Sequence, residues 1–136
     1  MNGDAGAAEI RRLLTARNPA LERAIRNLAT ELPHGVSLRA QPTLRIVVEP
    51  GLVEAIEQLR RVYRSLRRRI DAIDTERRVA KRRVLDAIDL LNTSFTLLLR
   101  STEATSYASG LRSIGDAKTR QARSASELKR ALEELA

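Results

Sequence analysis

Eleven of the 25 Lys and Arg residues crowd between Arg60 and Arg83, where only Asp71, Asp74 and Glu76 oppose them. This segment carries +8, which is the formal net charge of the whole 136-residue chain. Residues 1–59 hold seven basic and seven acidic side chains, and residues 84–136 again hold seven of each. A planar guanidinium fork binds two phosphate or carboxylate oxygens at once. The chemistry suggested is therefore contact with a polyanion, salt-dependent and tolerant of sequence. The candidate contacts are Arg60, Arg61, Arg64, Arg67, Arg68, Arg78, Lys81 and Arg82. The same residues also suit a solvated outer face, an acidic protein partner or an anionic lipid surface.

Other chemistry finds little to work with. The chain has no Cys and one His, so the usual nucleophile–base pairs and transition-metal ligand sets cannot be assembled within it. His34 sits in Pro33-His34-Gly35, a turn sequence, and reads as a solvent-exposed residue. Gly110 and Gly115 fit neither a dinucleotide-binding glycine pattern nor a P-loop. Asp86 and Asp89 fall three apart on one helical face, without the partner carboxylates that a hard cation needs. The expectation is a protein that is not an enzyme, with no catalytic residue, no metal and no cofactor.

The elements that position the cluster are read from periodicity. Residues 52, 56, 59, 63, 66, 70, 73, 77, 80, 84, 87, 91, 94 and 98 follow one another in steps of four and three. This 3.5-residue period predicts a long coiled-coil helix, about 70 Å if continuous at ~1.5 Å per residue. Its seam is Leu52, Ile56, Leu59, Tyr63, Leu66, Ile70, Ile73, Val84, Leu91 and Leu98, broken by Arg77 and Ser94. In a parallel dimer Arg69 would face Asp74 and Glu76 would face Lys81; an intramolecular hairpin is the competing arrangement. Toward its end the apolar face widens through Ile88, Leu90, Phe95, Leu97 and Leu99, which calls for a multi-helix bundle. A second heptad series runs through Leu111, Ile114, Lys118, Gln121, Ala125, Leu128, Leu132 and Leu135, out of phase with the first. The chain must therefore turn between Arg100 and Gly110, and the last helix folds back on the end of the long one.

Ahead of this, residues 1–50 read as a small α/β module and residues 51–136 as the helical unit. A first helix is expected over about Ala8 to Arg17, and a second from Asn18-Pro19 to Leu32. Alternation over Val36 to Ala40 and β-branched residues over Thr43 to Val48 suggest two short strands. The fold class is mainly α: a long heptad-repeat helix, a C-terminal helical hairpin, and a small N-terminal helix with two short strands.

The functional expectation is a self-associating coiled-coil scaffold or adaptor, a homo-oligomer whose basic stripe meets nucleic acid or an acidic protein partner. Aromatics are 2% of residues, and Tyr63 is the only one within the cluster. Single-strand binding relies on stacking aromatics, so duplex or structured phosphates fit better. No apolar run reaches the ~18 residues of a membrane span. The N-terminus carries no secretory pattern, which makes the cytoplasm the expected location.

A different class is suggested by the stretch Leu66 to Gly110. Its Arg-rich helix ends in Leu97-Leu98-Leu99 and is followed by Thr105-Ser106-Tyr107-Ala108-Ser109-Gly110. This stretch, about a third of the chain, resembles the late helix and Tyr-Gly-type tail of flagellar hook-filament junction chaperones. The resemblance implies a helical export chaperone or type III-like secretion component, whose C-terminal seam would receive a client helix. A phage or virion structural component is a further alternative.

Overall fold

The computed structural model describes residues 4–15, 36–41, 43–48, 50–101, 103 and 106–136, with the backbone alone for both strands, Pro50, Leu52 and Tyr107. It is mainly helical. The described helices are α1 (Ala5–Thr15), α2 (Pro50–Asp71), α3 (Arg78–Ser101) and α4 (Tyr107–Leu135). Backbone ladders join β1 (Val36–Gln41) to β2 (Thr43–Val48) antiparallel, with Val36 opposite Val48 and Gln41 opposite Thr43. The expected helix from Asn18 to Leu32, His34 and the Leu52 side chain lie outside the described residues.

The heptad run is not one rod. It breaks at residues 72–77, and α3 runs back antiparallel along α2, with Arg67 against Asp89 and, further from the turn, Tyr63 against Phe95. The break has local causes. Ile73 N–H reaches back only three residues, to Ile70 O (3.0 Å), which tightens the end of α2. Thr75 Oγ1 then accepts from Arg77 N–H (3.1 Å), holding the entry to α3 in a non-helical turn. Lys81 Nζ donates to Asp71 O (2.9 Å) and Ile73 O (2.7 Å), satisfying carbonyls at the end of α2. The heptad phase survives because both halves of the hairpin face the same interior. Ile56, Leu59, Tyr63, Leu66 and Ile70 on α2 are buried, as are Val84, Leu91 and Leu98 on α3. Ile73 is half-buried and Arg77, at the turn, is exposed. Eight of the residues expected to join two chains are thus buried within a single chain.

Helix α4 folds back along the full length of α3. Ser124 Oγ donates to the backbone carbonyl of Ala87 (2.7 Å), and Arg83 reaches Glu127. The buried line of α4 is Gly110, Ile114, Ala117, Gln121, Ser124, Leu128, Ala131 and Leu135, with Leu128 half-buried. It shares Ile114, Gln121, Leu128 and Leu135 with the series read from the sequence. Its other four positions fall one residue earlier than Leu111, Lys118, Ala125 and Leu132. Leu111 is left 41% exposed. The reason is size. A side-chain hydroxyl that touches the opposing main chain means the two backbones approach closely, so the interface takes small residues instead of the larger neighbour.

Helix α1 closes the turn end of the bundle. Asp4 caps it by accepting from Ala7 N–H (2.9 Å), the usual N-cap geometry. The same carboxylate takes the Thr75 hydroxyl (2.8 Å), which ties the cap to the α2–α3 turn. A Cβ on Gly6 would lie 1.8 Å from Asp74 O, so this close approach demands glycine. Ala7, Ile10, Leu13 and Leu14 then join the common core.

Candidate functional site

The basic cluster is divided by the fold into two groups. One group is used internally, around the turn end. Arg83 Nη1 lies 2.9 Å from Glu127 and its Nε 3.0 Å from Glu134. The Nε contact is an ion pair without an aligned hydrogen bond. The Glu127 hydrogen bond, followed by the charges of Glu134 and Glu127, raises the Arg83 pKa against the opposing effect of burial. Arg77 Nη1 donates to Glu134 O (2.8 Å) and Ala136 O (2.7 Å), placing positive charge at the negative end of α4. Arg67 spans to Asp89 on α3 through two hydrogen bonds of 2.6 and 3.2 Å, which likewise raise its pKa. With Lys81 on the α2 carbonyls, four cations close the bundle.

The second group faces outward. Arg61, Arg64 and Arg68 recur every three or four residues, forming one row on the side of α2 opposite its buried face. All three are exposed, and none forms an ion pair among the described residues. The row covers about 10 Å at ~1.5 Å per residue. Exposed Glu54 and Glu57 continue it toward the N-terminus of α2. Arg78 is also exposed and without an ion pair among the described residues, at the start of α3. Arg82 lies 3.4 Å from Asp86, a pair left open to solvent and worth at most about 1 kcal/mol. Arg60 is half-buried, with its Nε enclosed and without a hydrogen-bond partner.

Of the eight basic residues singled out from the sequence, Arg61, Arg64 and Arg68 thus share one free row. Arg67 and Lys81 are engaged within the bundle. Arg78, Lys81 and Arg82 are gathered instead around a cleft of about 860 Å³ beside α1, together with Asp4, Asp71, Asp74, Glu76 and Leu85. Charges of both signs line it. Arg77 and Arg83 are not among the eight; the Arg83 partners Glu127 and Glu134 are seven residues apart on one helical row, a signal usable only once the α3–α4 register is known.

The described aromatic side chains, Tyr63 and Phe95, lie away from the row. Tyr63 is 5% exposed and Phe95 fully buried, their rings 6.2 Å apart and tilted by 52°. Polar atoms are also enclosed between the helices: both amide atoms of Gln121 and Asn92 Oδ1 have no hydrogen-bond partner. Among the described residues no group of three or more His, Cys, Asp or Glu is placed to hold a metal ion. Nor is any described helix long and apolar enough to cross a membrane. No protein-family model matches the chain, and no characterised protein or solved structure matches it either.

Proposed function

We propose that this chain is a non-catalytic helical docking module that contacts a polyanion through Arg61, Arg64 and Arg68. One observation carries the reading: in a cluster where Arg67, Arg77, Lys81 and Arg83 close the bundle, these three guanidiniums form a single exposed row on one helical face with no ion pair among the described residues. They hold no ion pair among the described residues, and a planar fork suits phosphate, sulfate or carboxylate oxygens. Self-association through the 52–98 seam is not part of the proposal. It would need an uncovered apolar stripe, and Ile56, Leu59, Tyr63, Leu66, Ile70, Val84, Leu91 and Leu98 are already buried within one chain.

The test is retention on immobilised heparin. The triple variant R61E/R64E/R68E should elute at much lower salt than the unaltered chain, with its helical circular dichroism and unfolding midpoint unchanged. Equal retention of the two proteins would remove the proposal.

A further inference from the structure

Resting on the polyanion reading, we infer that the partner of the α2 row is the phosphate backbone of duplex nucleic acid, held over a short footprint and without base stacking. Single-strand binders gain much of their affinity by stacking bases on exposed aromatic rings. Here Tyr63, the aromatic of α2, points into the core, and Phe95 lies beside it. The row has only charge to offer. Charge alone favours the polymer with the denser phosphate array, and a duplex carries one charge per ~1.7 Å of axis.

The footprint is bounded by the helix itself. Glu57 lies one turn before Arg61 on the same face, with Glu54 a further turn away. Asp71 ends the helix three residues after Arg68. Contacts with phosphate are confined to Arg61, Arg64 and Arg68, and the flanking carboxylates repel a strand that extends past them.

Three contacts fix the expected salt dependence. A slope of about −0.9 per neutralised phosphate predicts an affinity loss of roughly 40-fold between about 50 and 200 mM salt. Fluorescence anisotropy of the full chain with a short labelled duplex, with its component single strand and with heparin reads this directly. The duplex should bind more tightly than the single strand, and R61E/R64E/R68E should lose both. Glu57→Gln should tighten duplex binding by about twofold, the repulsion of one charge at ~8 Å in water. A gain of affinity cannot come from misfolding, so this variant keeps the test sharp if the triple variant is destabilised. Single-strand affinity equal to or above that of the duplex, or duplex binding unmoved by Glu57→Gln, overturns the inference. Heparin binding without duplex binding overturns it while leaving the polyanion reading in place, and binding to none of the three overturns both.

Discussion

Helix α3 is held on two sides by different means, although both sides follow the same four-three spacing. Toward α2 the packing is large against large: Ile56, Leu59, Tyr63, Leu66 and Ile70 share a core with Ile88 and Phe95. Toward α4 the residues alternate in size. Counting outward from the Ser124–Ala87 hydrogen bond sets Ala80 level with Ala131, Ser94 with Ala117, and Ser101 with Gly110. Between them Val84 falls level with Leu128, and Leu98 with Ile114. Small layers let the backbones close in, and large layers fill the space between them. The α2 seat therefore gains stability from side-chain volume, and the α4 seat from closeness. Substitutions that change volume should separate the two.

The largest effect is expected at the α2 seat. Phe95→Ala removes a fully buried ring and its contact with Tyr63, and should cost about 3–5 kcal/mol in urea unfolding. Leu66→Met, which keeps volume and adapts its shape, should cost less than about 1.5 kcal/mol. At the α4 seat the sign of the volume change reverses. Ala87→Leu adds bulk where Ser124 touches the opposing main chain, and should cost about 1–3 kcal/mol. If Ala87→Leu proved neutral, the two helices would not be closely apposed and the contrast would fail.

A fourth substitution sharpens the contrast from the polar side. Level with Leu91, Gln121 is 7% exposed with neither amide atom bonded, in a layer where the pattern of sizes asks for a large apolar residue. A buried polar group without a partner costs about 1–3 kcal/mol. Gln121→Leu should therefore raise the unfolding midpoint, by a gain of about 1 kcal/mol. A lowered midpoint would mean that the amide has a partner in solution.

The sequence made the buried face legible but not the path of the chain. Steps of four and three mark Ile56 through Leu98 as one apolar stripe whether it joins two chains, two helices of one chain, or both halves of a hairpin. Nothing in that spacing reveals the break at residues 72–77. The signals that do are local and weak: Thr75 two residues before Arg77, and a lysine placed to reach the end of α2. The fold-back of α4 was legible because the second heptad series is out of phase with the first. Its buried line departs from that series by one residue at alternate positions, because hydrophobicity ranks Leu111 and Leu132 above Gly110 and Ala131, whereas a close interface selects for size. The charge cluster was legible as a cluster. Which of its members are free is a tertiary fact, since Asp89, Glu127 and Glu134 come to it from distant positions.

The smallest effect is expected at α1, whose seat is unlike either of the others. It rests on a capped helix start and one close approach, Asp4 to Thr75 and Gly6 to Asp74, and then on four apolar residues. Asp4 has its pKa lowered first by the Ala7 N–H bond, then by the Thr75 hydroxyl, with smaller help from Glu76 N–H and the charge of Arg77; partial burial opposes them. A carboxylate whose folded pKa lies below its unfolded value stabilises the fold fully above the ordinary carboxylate range. That contribution is lost as the pH falls through the folded value. Amide exchange over Ala5–Thr15 should therefore accelerate below about pH 4, after correction for the intrinsic rate, while the α3–α4 amides stay protected. Asp4→Asn should remove this acid step, since a neutral amide has no carboxylate to titrate. Gly6→Ala should speed exchange in α1 at every pH, because the added methyl group meets Asp74 O whatever the charge on Asp4. If acid released α1 equally in Asp4→Asn, the step would belong to another carboxylate, with Glu9, lowered chiefly by its hydrogen bond from Arg12, the next to replace.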